Sequence, residues 1–193
     1  MSNFRIYVAI SQSIALKEQL LYNPDFQQRI QDAVNMMVDC LRNGGKIHFC
    51  GNGGSAADAQ HLAAELSGRF YHDRQPLNAE ALQVNSSYVT AVANDYGYDQ
   101  IFARMMEASG REGDILVGLS TSGNSSNIVN AYEVCRRKGI RTISLTGETG
   151  GAMKDFSDIL LNVPSVDTPR IQESHIMIGH ILCELVEAEF VKE

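Results

Sequence analysis

Residues 114–125 read DILVGLSTSGNS, in which a mostly apolar stretch runs into a loop of four hydroxyl residues, one glycine and one asparagine. The apolar stretch predicts a strand over residues 114–119. Apolar residues at helical spacing follow the loop, and the helix that they predict ends in three basic residues and Gly139, which are typical of a helix C-terminus. The segment is therefore a strand, a polar loop and a helix in succession.

The same succession occurs earlier in the chain. Residues 46–50 are mostly apolar, residues 51–55 read GNGGS, and a helix pattern of small residues follows to about Arg69. Residues 142–146 and 159–163 are two further strand candidates. Strands that alternate with helices predict βαβ units, and hence an α/β fold with a central parallel sheet and helices on both faces.

Helical patterns also flank this central region. Asn23 and Pro24 are typical of a helix start, and the apolar spacing that follows them continues to Gly44, so we predict N-terminal helices over about residues 4–44. Residues 170–191 have the pattern of a long amphipathic helix. This is more helix than one sheet requires, so these helices either cover the sheet or take part in subunit association.

Composition limits the class of protein. The 193 residues are 44% hydrophobic and 20% charged, which fits one domain over residues 1–193. Sixteen Lys and Arg against 23 Asp and Glu give a net charge of −7, which disfavours nucleic-acid binding. Four cysteines without CxxC spacing suggest neither a zinc ribbon nor disulfides. With neither a signal-peptide pattern nor an apolar run of membrane-spanning length, we expect a cytoplasmic protein with no membrane partner.

Both polar loops follow strands. In an open parallel sheet, ligands bind beyond the carboxyl ends of the strands, where such loops lead into helices. The loop at residues 120–125 offers hydroxyl and amide groups beside the positive end of a helix, which suits a phosphate monoester. A helix cap followed by a turn would use the same residue types.

The glycine-rich loop has a second pattern. Residues 51–56 read GNGGSA and match the dinucleotide pattern GxGxxA. A nucleotide site would also need an acidic residue at the end of a second strand about 20 residues later, and Asp73 and Glu80 are poorly placed for that role. We therefore expect no nucleotide cofactor. The glycines predict either a backbone wall that approaches a small polar ligand or only a tight turn.

Titratable residues occur near these loops. His61 and Glu65 are four residues apart on the predicted helix, so they share a face. Gln172 and His180 lie on the C-terminal helix, about 80° apart around its axis. A hydrogen bond at the surface would explain the first pair, and a histidine on a packing helix would explain the second. Their occurrence beside a phosphate-suited loop favours a site for proton transfer.

Taken in order and at these separations, the motifs resemble those of the phosphoheptose isomerases, a family within the sugar-isomerase (SIS) domain superfamily. The resemblance covers nearly the whole chain. It rests on CGNGGS at 50–55, Asp58, His61, AE at 64–65, GR at 68–69, ND at 94–95, GREGD at 110–114, STSGNS at 120–125, LTG at 145–147, RIQE at 170–173, His175 and His180.

The resemblance implies a three-layer, flavodoxin-like SIS domain with extra N-terminal helices. It implies a homotetramer with active sites at subunit interfaces. The implied reaction converts D-sedoheptulose 7-phosphate to D-glycero-D-manno-heptose 7-phosphate through an enediol, the first step towards ADP-heptose and the inner core of lipopolysaccharide.

The resemblance also implies roles for particular residues. Glu65 and His180 are the implied catalytic acid–base pair, and one zinc ion per subunit is the implied cofactor, with His61, Glu65, Gln172 and His180 as ligands. The implied substrate contacts are Asn52, Gly53, Gly54, Glu65, Asn94, Asp95, Ser120, Thr121, Ser122, Ser125 and Gln172. The chain departs from some family members at Thr168-Pro169, where they carry an acidic residue.

Two alternatives remain at this point. A non-catalytic SIS-fold protein of the type that associates with the bacterial replication initiator would share the fold without the reaction. An isomerase that acts on another sugar phosphate would share the fold and the type of reaction but not the substrate. The presence of His61, Glu65 and His180 favours an enzyme.

Overall fold

The computed structural model describes residues 2–191. Within this range the chain forms five β-strands and seven α-helices, together with two 3-10 helices at Tyr98–Gln100 and Gly151–Phe156. The strands and helices, in chain order, are α1 (Ser2–Leu21), α2 (Pro24–Arg42), β1 (Ile47–Gly51), α3 (Gly54–Ser67), β2 (Ala79–Ala81), α4 (Ser86–Tyr96), α5 (Ile101–Ser109), β3 (Ile115–Ser120), α6 (Ser126–Lys138), β4 (Arg141–Thr146), β5 (Ile159–Asn162) and α7 (Thr168–Val191).

All five strands are parallel, in the order β2-β1-β3-β4-β5. This is the flavodoxin-like order, in which the direction of winding reverses between β1 and β3. Cys50 pairs with Gly118 near the carboxyl ends of these two strands. The glycine-rich loop and the serine-rich loop therefore leave the sheet side by side at its topological switch point, where ligands bind in this architecture.

Side chains that alternate along the strands build a core on each face of the sheet. Ile115, Val117 and Leu119 of β3 face a core shared with α2, α3 and α7. Leu116 faces the opposite core, which α4, α5 and α6 complete. Gly118 also faces that side, and a Cβ there would lie 2.6 Å from the hydroxyl of Tyr132. The three-layer arrangement predicted from the strand and helix patterns is confirmed.

The helix boundaries follow from local chemistry. Asn23 caps α2 by accepting a hydrogen bond from the N–H of Phe26 at 3.0 Å, with Pro24 in the first turn. Gly139 ends α6 in the left-handed conformation, with φ at 68°. The C-terminal helix covers the sheet, because Ile178 and Leu182 are buried in the core. Within residues 2–191, no helix is both long and apolar enough to cross a membrane.

The four predicted strands are present, but β2 did not emerge from the sequence. Its three residues are too few to show an alternating pattern. Glu80, which we expected to be poorly placed for a nucleotide site, is the central residue of β2. Its carboxylate lies 3.2 Å from Nζ of Lys46, which precedes β1, and 3.4 Å from Nδ1 of His48. These contacts turn Glu80 towards the amino end of the sheet, away from the two loops.

His175 of α7 makes stability depend on pH. The side chain is fully buried, and its Nε2 lies 3.1 Å from the carbonyl oxygen of Thr146. Burial lowers the pKa of His175 from 6.5 to about 4, although the hydrogen bond to Thr146 opposes this shift. The unfolded chain therefore binds a proton that the folded chain excludes. This contribution to stability is complete above about pH 6.5 and decreases as the pH falls towards 4.

We expect the free energy of unfolding to fall by about 3 kcal/mol between pH 6.5 and 4 because of this residue. Urea unfolding at a series of pH values measures the slope. His175→Gln should lower the slope of the unfolding free energy against pH by the equivalent of one bound proton. His72→Gln, at an exposed position, should leave the slope unchanged. An identical slope in His175→Gln and the parent chain would contradict the assignment.

Candidate active site

The glycine-rich loop makes a tight turn between β1 and α3. Gly53 has a φ of +55°, a backbone conformation that a side chain rarely adopts. A Cβ on Gly51 would lie 2.4 Å from the carbonyl oxygen of Ser55, so the chain folds back closely on itself. The glycines therefore do form a tight turn. The same turn places the backbone of Gly54 at the start of α3, facing the switch point.

A reciprocal pair of amides joins this loop to the helix after β3. The side-chain amide of Asn52 donates to Asn127 at 3.0 Å, and that of Asn127 donates back at 2.8 Å. The hydroxyl of Tyr98 also donates to Oδ1 of Asn52, at 3.1 Å. The side chain of Asn52 therefore links the glycine-rich loop to α6. Sequence reasoning missed both partners, because the only signal from Asn127 is one polar residue in the first turn of a helix.

The serine-rich loop gathers three hydroxyls at the start of α6. Oγ of Ser120 lies 2.8 Å from Oγ of Ser125 and 3.5 Å from Oγ of Ser122. Ser125 occupies the cap position of α6, yet its side chain makes no capping hydrogen bond. The helix-cap interpretation therefore does not account for its hydroxyl. Thr121 completes this loop and accepts the N–H of Gly147 through its carbonyl group at 3.0 Å.

Two histidines and a carboxylate meet where α3 packs against α7. Nε2 of His61 lies 3.1 Å from Oε1 of Glu65 and 3.0 Å from Nε2 of His180. The helices approach closely here, because a Cβ on Gly179 would lie 2.5 Å from a methyl group of Leu62. The structure thus brings His180 to a pair from which it is separated by more than a hundred residues.

The remaining predicted residues make no hydrogen bond to this cluster among the contacts of residues 2–191. The side-chain amide of Gln172 lies against the backbone of Gly54, where an added Cβ would be 2.9 Å from its nitrogen. Asn94 and Asp95 lie at the exposed end of α4, and the amide of Asn94 donates to Asp95 at 2.8 Å. Tyr98, three residues beyond Asp95, connects this part of the chain to the glycine-rich loop.

Phe70 and Asp58 complete the surroundings of the histidines. The Phe70 ring packs against the His180 ring, with centroids 5.7 Å apart. Asp58 precedes His61 by three residues on α3. Burial raises the pKa of Asp58, while the positive charges of protonated His61 and His180 act in the opposite direction. Sequence reasoning gave Phe70 no role, because one aromatic residue in a loop has no periodic signal.

The donor atoms of this cluster are of the types that bind zinc. Within residues 2–191, no group of three or more His, Cys, Asp or Glu side chains is placed so that it could hold a metal ion. The contacts instead run in a row from His180 through His61 to Glu65. Neighbouring ligand atoms of a tetrahedral zinc ion lie about 3.3 Å apart. The separations of 3.0 and 3.1 Å in this row are close to that value, and imidazole and carboxylate are ordinary zinc ligands.

The site and the sheet together define a class of protein: an α/β domain with an anion-suited loop and a histidine–carboxylate cluster at the switch point of a parallel sheet. The sequence profile of the SIS domain family matches residues 13–147. The chain therefore belongs to the SIS domain family.

Individual relatives narrow this assignment. The phosphoheptose isomerase of Aneurinibacillus thermoaerophilus is 51% identical over 178 residues, which are 92% of this chain and 90% of the relative. That of Clostridium acetobutylicum is 49% identical over 193 residues, which are 100% of this chain and 98% of the relative. The solved structure of the phosphoheptose isomerase from Neisseria gonorrhoeae is 41% identical with a TM-score of 0.92, covering 97% of this chain and 100% of that one. Within the SIS family, the chain belongs to the phosphoheptose isomerases, as the sequence motifs indicated.

Ser125 provides a direct test of the serine-rich loop. Removal of a hydrogen bond to a charged group costs about 1.5–3 kcal/mol, so Ser125→Ala should weaken the binding of inorganic phosphate about 10- to 100-fold. Isothermal titration calorimetry measures this affinity. Ser126→Ala, at the exposed neighbouring position, is the matched control and should bind normally. Equal affinity in both variants would remove Ser125 from the phosphate site.

Proposed function

We propose that the chain converts D-sedoheptulose 7-phosphate to D-glycero-D-manno-heptose 7-phosphate, the first step towards the ADP-heptose used in the inner core of lipopolysaccharide. The observation that carries this proposal is the arrangement at the switch point. The hydroxyls of Ser120 and Ser125 gather at one loop, and the contacts between His61, Glu65 and His180 form beside the other. A phosphate anchor beside an acid–base pair is what isomerisation of a sugar phosphate requires.

We assign phosphate binding to the serine-rich loop. Ser120, Thr121, Ser122 and Ser125 would hold the phosphate with their hydroxyl and amide groups, assisted by the positive end of the α6 dipole. The backbones of Gly53 and Gly54, with Asn52, Asn94, Asp95 and Gln172, would contact the sugar. The Asn52 side chain already links the glycine-rich loop to α6, so its contribution includes holding the pocket wall in place.

Glu65 acts as the base in this proposal. Its carboxylate removes the C1 proton beside the C2 carbonyl of the open-chain ketose, which yields the enediol. The protonated carboxyl group then returns a proton to C2, which yields the aldose. Glu65 is held for this task on one side by the His61 contact at 3.1 Å.

His180 moves protons at the two oxygens, delivering one to O2 and removing one from O1. Its Nε2 lies 3.0 Å from Nε2 of His61, so one hydrogen bond joins the imidazoles of the two helices. The Phe70 ring contacts the His180 ring and limits its rotation. The acid and the base therefore come from different helices but are held in one row of contacts.

A zinc ion would be held by His61, Glu65, Gln172 and His180. When bound, it would supply polarisation of the substrate carbonyl and stabilisation of negative charge on oxygen. Support comes from the contacts of His61 with Glu65 and His180, and from the side-chain amide of Gln172 at the start of α3. No nucleotide is required, because the reaction moves protons within one sugar.

The two catalytic assignments predict a loss of turnover. Glu65→Gln and His180→Ala should each lower kcat for sedoheptulose 7-phosphate about 10²- to 10⁴-fold, the usual effect of losing a general acid or base. A coupled assay of heptose 7-phosphate formation measures the rate. Glu184→Gln, an exposed change on α7, is the control and should retain normal turnover.

The same assay separates the alternatives. Turnover of fructose 6-phosphate in preference to sedoheptulose 7-phosphate would assign another substrate. Absence of turnover for both sugars in the unaltered chain would overturn the proposed reaction. Full activity in both Glu65→Gln and His180→Ala would overturn the acid–base assignment alone.

The metal assignment predicts a second result. Imidazoles must be deprotonated to bind zinc, so zinc content should decrease as the pH is lowered. Elemental analysis should find about one zinc per chain in the purified protein and much less in His61→Ala. Chelation should reduce activity and added zinc should restore it. A metal-free chain with full activity would remove the metal from the proposal and leave Glu65 and His180 as an acid–base pair.

We further propose a homotetramer with active sites at subunit interfaces. Support comes from α1, whose Phe4, Tyr7, Ile10 and Ile14 are exposed, and from an apolar groove of about 440 Å³ between α1, α2 and α7. Contiguous exposed apolar surface is typical of protein interfaces. The side chain of His61 is also about half exposed, which leaves one side of the site open to a neighbouring subunit. Light scattering on the purified chain measures the assembly.

We propose the cytoplasm as the compartment. Cys40, Cys50, Cys135 and Cys183 are all free and buried, which suits a reducing environment. Fractionation of cells that produce the protein would test this assignment.

A further inference from the structure

The loop between α3 and β2 is attached to α7 by a buried carboxylate. Glu187 accepts hydrogen bonds from three successive backbone N–H groups, those of Phe70 at 2.9 Å, Tyr71 at 2.7 Å and His72 at 3.1 Å. Its side chain is only 1% exposed. Consecutive N–H groups that converge in this way form a binding site for an anion, and here the anion belongs to the protein itself.

Arg74 completes this attachment. Its Nε lies 3.2 Å from Oε1 of Glu187, and its side chain is only 4% exposed. The remaining guanidinium nitrogens donate to carbonyl groups at the end of α3, including Leu66 at 2.8 Å and Glu65 at 3.0 Å. Arg74 therefore satisfies carbonyls that the end of a helix leaves without partners. One of those carbonyls belongs to the proposed catalytic base.

The attached loop reaches the second proposed catalytic residue through an aromatic ring. The Phe70 ring contacts the His180 ring at 5.7 Å and the Tyr71 ring at 4.5 Å between centroids. The backbone N–H groups of Phe70 and Tyr71 are two of the three that Glu187 binds. The position of Phe70, and through it the freedom of the His180 ring, therefore depends on Glu187.

Stability alone does not explain this arrangement. A buried ion pair adds little to stability compared with well-packed apolar side chains, because desolvation of the charges offsets their attraction. What it does provide is a defined geometry, since each hydrogen bond has a required direction. Burial alone would raise the pKa of Glu187, but the three N–H groups and Arg74 hold the pKa below its usual value. The carboxylate is therefore charged at neutral pH.

We propose that Arg74 and Glu187 are positioning residues of the isomerase site, acting on Glu65 through its carbonyl group and on His180 through Phe70. The inference rests on the proposed function, because it assigns Glu65 and His180 the proton transfers. Arg74 and Glu187 themselves contact neither of those side chains in the contacts described above. Their effect is to keep the end of α3, the loop and α7 in a single arrangement.

The test is Glu187→Gln, which keeps the shape of the side chain and removes its charge. We expect kcat for sedoheptulose 7-phosphate to fall about 10- to 100-fold, as small displacements of catalytic groups do. KM should change by less than about threefold, because the serine-rich loop, which we assign to phosphate binding, follows β3 and is not part of the loop that Glu187 binds. Glu189→Gln is the matched control, since it makes the same change two residues away on α7 at a carboxylate that pairs with Arg42.

A second readout does not depend on activity. The imidazole Hε1–Cε1 signal of His180, assigned by its loss in His180→Ala, should move in Glu187→Gln and remain in place in Glu189→Gln at the same fixed pH. Unchanged kcat and an unmoved His180 signal in folded Glu187→Gln would overturn the proposal, as would a lower melting temperature with kcat per folded molecule unchanged. If the unaltered chain turned over neither sugar, the proposed function would fail, and the NMR signal would still decide whether Glu187 positions His180.

Phe70 provides the variant to use if Glu187→Gln does not fold. Phe70→Leu should lower kcat and move the His180 signal, because the ring contact is lost. Phe70→Tyr keeps the ring and should recover most of the turnover that Phe70→Leu loses. Equal turnover in these two variants would contradict an action of the loop through the Phe70 ring.

Discussion

The close packing of α7 on α3 is the constraint on which the proposed chemistry depends. Gly179 has no side chain to separate the helices, and a Cβ there would lie 2.5 Å from Leu62. This approach lets the neighbouring residue, His180, place its Nε2 within 3.0 Å of His61. A larger residue at position 179 would have to displace a buried leucine or move one helix. The acid and base pair therefore depends on a position that takes no part in the reaction.

A second constraint lies in the strand order. Because winding reverses between β1 and β3, the loops after these strands emerge next to each other. The Asn52–Asn127 amide pair then connects the glycine-rich loop directly to the first turn of α6. Asn52 is the one amide in a loop otherwise made of small residues, and its partners lie outside that loop. In the serine-rich loop, the hydroxyl of Ser122 accepts the N–H of Asn124 at 3.1 Å, and the hydroxyl of Ser125 makes no capping hydrogen bond to α6.

Three buried polar side chains in this fold bind backbone groups of neighbouring segments. Glu187 binds three N–H groups, His175 contacts the Thr146 carbonyl, and Asp114 accepts the N–H groups of Lys46 and Arg111 at 2.8 and 2.9 Å. Each contact attaches one helix, strand or loop to another segment of the chain. A buried polar side chain without such partners costs free energy, so these contacts also disfavour other arrangements of the same elements.

Local sequence determined much of this protein, namely the four longer strands, the start of α2, the end of α6, the two polar loops and the shared face of His61 and Glu65. These features repeat with the periods of a helix or a strand, or depend on residues a few positions apart, so one segment contains the whole signal. Family resemblance joined these segments to a reaction. Only the tertiary structure decided the presence of β2, the contact of His180 with His61, the Asn52–Asn127 pair and the hold of Glu187 on the loop at Phe70. These contacts join residues 75 to 119 positions apart, and side-chain packing between elements selects them, which no local period encodes.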